Sequence, residues 1–283
     1  MEVLEARRGV VLSRAAKAFV CLAAAACMTR DARCGDAAPE EYAPPRPTAP
    51  LSRLQIFTEW NRLATGDVYG LRLQGAIAPG KRHLFLLELP VQRAHYQGLG
   101  AAGGVGDLRF RYFGLPYVNL TPRAYALGLS LDVFAPTGDP DKGLGLGDWV
   151  FAPGLLVGLR AGDSVTLFPS FSYVLATGPT SLAGSGGLDP LPPGVTPPGA
   201  EDTRGFVFEI RGLIRLPRKG YLWVTPTYLK TTSGADIEAF NLRLTYGVPL
   251  NPNTHMTVSV LHEFANRDTG MKEQIRFGLA RYF

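Results

Sequence analysis

Cysteine is scarce in this chain, and its placement matters more than its number. Cys21, Cys27 and Cys34 are its three cysteines, all near the start. Once residues 1–37 are removed, no disulfide framework, thiolate metal site or cysteine nucleophile can be built. Long apolar runs are missing too. The stretch from Ala18 to Cys27 falls short of the about 20 residues a helix needs to cross a bilayer, and no later segment approaches that length without a charge or a proline. That excludes a helical span but says nothing against a strand-built one. Charge of one sign is also weak. The net charge is +5, and removing residues 1–37 takes away six basic and four acidic residues to leave +3, too little to imply a nucleic-acid partner. No G-x-S-x-G elbow and no H-E-x-x-H pair occurs. Of the four histidines, His83, His95, His255 and His262, His255 and Ser259 share a strand face but lack a nearby carboxylate or amide to orient them outside a turn. His255 reads as an interfacial residue at a strand start. The chain reads as a non-enzyme with no cofactor and no metal.

What is present begins with an export signal. Arg7, Arg8, Arg14 and Lys17 precede the apolar run, and Gly35-Asp36-Ala37 supplies small residues where a signal peptidase reads. Residues 1–37 are therefore expected to be a signal peptide, and the Pro/Ala-rich 38–52 a periplasmic tether outside the fold. From Arg53 on, the sequence predicts twelve strands: 53–60, 69–78, 83–93, 105–113, 123–134, 148–159, 164–176, 204–215, 221–230, 236–248, 254–264 and 272–283. Several alternate cleanly. Leu127, Leu129, Leu131 and Val133 interleave with Gly128, Ser130 and Asp132; Phe240, Leu242, Leu244 and Tyr246 interleave with Asn241, Arg243 and Thr245. Every second connection is short, and the longer ones include 94–104, 135–147 and 177–203, the pattern of a barrel inserted from one side of a membrane. Trp149, Tyr173, Tyr221, Trp223, Tyr246 and Phe283 lie near strand ends, where aromatic girdles belong. Pro153, Pro169 and Pro226 fall inside strands and imply either bulges or misplaced boundaries.

These features predict an all-β fold, a closed antiparallel transmembrane β-barrel of about twelve strands over residues 53–283. The final strand, with Ile275, Phe277, Leu279 and Phe283 on one face, ends on an aromatic. Phe283 is expected to act as an assembly signal for the outer-membrane insertion machinery of a Gram-negative bacterium, with outer-membrane lipid as the surrounding partner. The runs GVGDLRFRYF (Gly104, Gly106, Asp107) and LSLDVFAPTGDPDKGLGLGDWVFAPGLLV (Pro136, Thr137, Gly138, Asp139, then Gly143 to Gly147) resemble the outer-membrane transporter family named for the MetA pathway of phenol degradation. That resemblance implies a channel or transporter-like barrel, with hydrophobic or aromatic compounds as cargo. Read for themselves, the Gly and Asp are first of all turn chemistry.

Alternation places a charged set on the inner wall: Arg72, Glu88, Asp107, Arg109, Arg111, Asp132, Glu209, Arg211, Arg243 and Arg276, together with Arg53, Glu59, Arg215 and Glu263. Arginine exceeds acid. The set reads either as ion pairs filling a narrow lumen or as a wet pore that favours anions. The leading functional expectation is passive passage of small solutes. The alternatives are a surface barrel acting in adhesion or as a structural protein, and a secreted carbohydrate-binding β-sandwich.

Overall fold

The computed structural model describes residues 46–64, 66–80, 82–96, 100–177, 202–217, 220–234, 237–267 and 271–283. The expected signal peptide and the segment 178–201 of the expected long outer loop lie outside these residues. The described residues form thirteen strands: β1 (Arg53–Leu63), β2 (Gly66–Ile77), β3 (His83–Tyr96), β4 (Gly100–Val105), β5 (Leu108–Val118), β6 (Ala124–Ala135), β7 (Val150–Arg160), β8 (Val165–Ala176), β9 (Thr203–Arg215), β10 (Tyr221–Ser233), β11 (Glu238–Asn251), β12 (Thr254–Arg267) and β13 (Met271–Tyr282). All strand pairings are antiparallel and join sequence neighbours, except that β3 pairs with both β4 and β5 and that β13 returns to pair with β1, with Arg53 opposite Tyr282 and Glu59 opposite Arg276. The sheet is closed.

The wall has twelve positions because β4 and β5 share one. Val105 lies opposite Val91 and Arg109 opposite Glu88, so the register against β3 slips by one residue across Gly106 and Asp107. Such a bulge lets a strand bend and leaves local backbone groups to be satisfied elsewhere. Of the expected Gly-rich loop 94–104, residues 94–96 and 100–104 instead continue the ladder, with Ala102 opposite Ala94 and Gly100 opposite Tyr96, and 97–99 lie outside the described residues. Glycine and alanine carry no readable side-chain period, yet their amides and carbonyls pair as well as any others.

The prolines require neither bulges nor new boundaries. Around Pro153 the ladder to β8 lacks the pairs at Ala152 and Pro153, and around Pro226 the ladder to β9 lacks those at Thr225 and Pro226. The register is the same on both sides of each gap. Proline removes its own donor without displacing the strand.

Period-two alternation sorts the side chains sharply. Outward positions carry exposed apolar residues such as Ile56, Leu73, Leu87, Leu129, Phe171 and Phe277. Along inward faces nearly every strand runs from apolar at one end, through polar, to apolar at the other: Met271, Gln274, Arg276, Ala280 on β13; Phe134, Asp132, Ser130, Ala126 on β6; Leu229, Thr227, Thr225, Tyr221 on β10. The end holding Arg53 and Tyr282 is the terminal end, where the connections are short; the other is the loop end, which carries the two longest, 136–149 and 177–202. Two expected girdle aromatics point the other way. Tyr221 and Trp223 face inward and pack with Phe168 and Leu213, whereas Trp149, Tyr173 and Phe283 are exposed.

Candidate functional site: the barrel lumen

The middle of the lumen is a set of charged and amide side chains in which Glu59, Glu88, Asp132 and Glu209 each meet arginine, with Glu263 buried on β12. On the β13–β1–β2–β3 arc, Arg72 donates to Glu59 at 2.7 Å and to Glu88 at 3.0 Å, and Arg276 donates to the second Glu59 oxygen at 2.7 Å. Gln74 donates to Glu88 at 2.8 Å and accepts from Arg53 at 3.2 Å. Arg243 donates to Gln274 at 3.0 Å, and Gln274 donates to Asn61 at 2.6 Å. On β5 and β6, Asp132 accepts from Arg109 at 3.0 Å and from Arg111. On β9, Glu209 accepts from Arg211 and from Thr227 on β10.

The register follows from the sequence, since Glu59, Arg72, Arg276 and their neighbours at ±2 fall on one parity and β1, β2 and β13 pair directly. Asn61, Gln74 and Gln274, which link the charged groups, escape a search for ionisable residues. Their signal is position, each lying two residues from a charged inward neighbour. Burying these charges is costly, and the bidentate contacts and shared partners offset that cost.

Asp107 stands apart from this ring. Its carboxylate accepts from the backbone amides of Gly138 at 2.9 Å and Leu146 at 2.5 Å, both in the β6–β7 connection. His255 is buried between the rings of Tyr282, 4.9 Å away, and Tyr221, 5.9 Å away, inside the terminal end and not at an outer interface. The Ser259 hydroxyl lies 2.8 Å from that of Thr245.

Both ends of the lumen are apolar. At the terminal end, Phe113, Leu115, Ala126, Leu156, Phe168, Leu213 and Tyr221 form one cluster. Residues 46–52, expected to lie outside the fold as part of the tether, reach this end: Thr48 meets the Tyr125 hydroxyl at 3.0 Å and its methyl packs over inward-facing Gly158, while Ser52 accepts from the Ala78 amide. At the loop end, two leucines of the β6–β7 connection enter the barrel. Leu144, 1% exposed, packs with Leu63, Val68, Ala94, Tyr96, Leu261 and Met271. Leu146, 6% exposed, packs with Phe134, Val150, Val174, Leu229, Ile237 and neighbours. The first group lines β1, β2, β3, β12 and β13, the second β6, β7, β8, β10 and β11. Two nearly adjacent residues thus join opposite walls. Their sequence signal is leucine alternating with glycine inside a stretch otherwise read as an outer loop.

This loop is built by the residues that carried the family resemblance. Asp139 caps a short 3-10 turn (Pro140–Lys142) by accepting from Asp141 N, and Lys142 donates to it at 2.6 Å, a hydrogen bond that holds the Asp139 carboxyl below its usual range. Gly138 and Gly145 lie back to back, where a side chain on Gly145 would fall 2.8 Å from the Gly138 Cα. The Tyr96 hydroxyl donates to the Gly143 carbonyl at 3.0 Å.

No protein-family model matches the chain, and no curated protein matches it either. Solved structures do. A COG4313 outer-membrane channel from Pseudomonas putida F1 aligns at 15% identity over 88% of this chain and 100% of its own, with a TM-score of 0.62. The NanC porin aligns at 8% identity over 81% of this chain and 100% of its own, with a TM-score of 0.57. The KdgM porin aligns at 10% identity over 82% and 99%, with a TM-score of 0.50. The chain therefore has the fold of outer-membrane channel and porin barrels, a closed antiparallel barrel of twelve strand positions.

Proposed function

We propose that this chain is an outer-membrane channel through which small solutes pass without covalent chemistry, and that residues 1–37 direct its export. The observation that carries this reading is the inverted barrel: apolar side chains on the outer face and charge inside. A soluble sandwich buries its apolar face, whereas a barrel in lipid turns that face outward and leaves its polar groups to the lumen. The likeness to channel and porin barrels supports the same class. The short motifs similar to the MetA-pathway transporter family favour hydrophobic or aromatic cargo, and the excess of inward guanidinium over carboxylate favours organic anions.

A specific observation favours a second reading, a non-transporting surface barrel: apolar clusters occupy both ends of the lumen. Planar-bilayer recording of the purified, reconstituted protein separates the two. Defined unitary steps support the channel, and a silent but correctly folded barrel supports the alternative. If the arginines set selectivity, replacing Arg109 and Arg243 with Gln lowers anion over cation permeability while the barrel still shows heat-modifiable mobility. An unchanged reversal potential would make those arginines structural.

A further inference from the structure

We propose that the β6–β7 connection is a gate and that Asp107 is its latch. Three observations converge on this. First, Leu144 and Leu146 are seated against opposite walls, so the loop fills the lumen at this end rather than lying over it. Second, besides the Tyr96 hydroxyl bond to the Gly143 carbonyl, four of the loop's hydrogen bonds to the wall gather at one place, the bulge between β4 and β5. There Thr137 donates to the Gly106 carbonyl and accepts from the Leu108 amide, both at 2.9 Å, satisfying the backbone that the bulge leaves outside the ladder. Asp107 beside it accepts from two amides on opposite sides of the loop tip, Gly138 and Leu146. Third, the wall closes without the loop. The β5–β6 and β6–β7 ladders end at Ala135 and Val150, and none of their pairs involves residues 136–149.

The small residues around the bulge fit this role. A side chain on Gly104 would lie 3.0 Å from the Leu144 Cδ1, and one on Gly106 would lie 3.0 Å from the Leu144 carbonyl oxygen, so the wall is bare where the loop docks. The latch is two hydrogen bonds from neutral amides to one carboxylate. Such bonds hold a loop firmly, yet a single side chain controls them together. With the latch open, the loop can leave as a unit hinged at its two strand ends.

This inference uses the channel reading for its consequence, not for its geometry, so the test has a readout besides conductance. The chain has no cysteine after Cys34, so Leu144→Cys can be followed with a water-soluble thiol reagent on the reconstituted barrel, with the protein lacking that cysteine giving the background. In the presence of Asp107 the thiol is expected to react slowly. In the D107A background, with heat-modifiable mobility retained, labelling is expected to rise roughly tenfold or more, the scale set by losing hydrogen bonds to a charged acceptor. Equal labelling in the two folded proteins overturns the latch. Should D107A fail to fold, D107N, which keeps one acceptor, and T137V are read in the same way, and no rise in either overturns it. Conductance then separates the two ideas: faster labelling with larger unitary steps supports both, whereas faster labelling of a silent barrel keeps the latch and removes the channel.

Discussion

Asp132 on β6 accepts from both Arg109 and Arg111 of β5, and its negative charge makes the pair of guanidiniums tolerable in a partly buried place. Without that carboxylate, two positive groups on one strand face each other in a confined space. The expected cost of Asp132→Asn is about 3–5 kcal/mol, the range for leaving a buried charge uncompensated. Arg109→Gln should cost much less, because Asp132 keeps Arg111. Urea titration of the two variants refolded into lipid vesicles measures the difference, and equal midpoints would show the ring to be well solvated. The individual charges were legible in the sequence because period two fixes which face each side chain takes. Their partners were less so. Glu59 meets Arg276 across 217 positions, a pairing that no local pattern announces. The role of Asp107 was hidden for another reason, since its acceptors are satisfied by backbone amides, and backbone donors look alike in any sequence.

The β6–β7 connection is the element on which sequence and structure differ most. Glycine, aspartate and proline in series read correctly as turn-forming chemistry, and Asp139 and Gly143 do cap a short 3-10 turn, Gly143 with φ of 66°. The inward path of the loop could not be read, because it depends on two leucines finding opposite walls that do not exist until the barrel closes. Gly145→Val tests the seating. Its new side chain would fall 2.6 Å from an Asp107 oxygen and 2.8 Å from the Gly138 Cα, so the tip cannot dock as it stands. We expect larger unitary conductance in planar bilayers with heat-modifiable mobility unchanged. If conductance matches the unaltered protein, the loop is not what narrows the lumen. The strand prolines teach a related lesson. Rules for sheets confine proline to edges and bulges, yet Pro153 and Pro226 sit in register, and the surrounding ladder holds the strand while local pairs are absent.

At the scale of the whole molecule, the outer surface predicts where the barrel resides. Leu155, 51% exposed, lies outward in the middle of β7. In a bilayer, Leu155→Arg should destabilise the barrel by about 2–4 kcal/mol, whereas Leu250→Arg, near the β11–β12 turn, should cost about 0–1 kcal/mol. Urea midpoints in vesicles check this, and equal, small effects would argue that the belt does not face lipid. The architecture was legible in the sequence because inside and outside differ so strongly in polarity. The shared wall position of β4 and β5 was not, since a register slip at Gly106 and Asp107 is a property of pairing. The seam between β1 and β13 carries a further consequence. Glu59 sits directly opposite Arg276, and Asn61 opposite Gln274. Sliding one strand by two residues would keep each side chain on its own face, so hydrophobicity alone cannot reject that error. It would, however, set Glu59 against Gln274 or Gly278 and strip Arg276 of its carboxylate. The joint that closes the ring therefore carries its own test of register, a checkpoint written in charge.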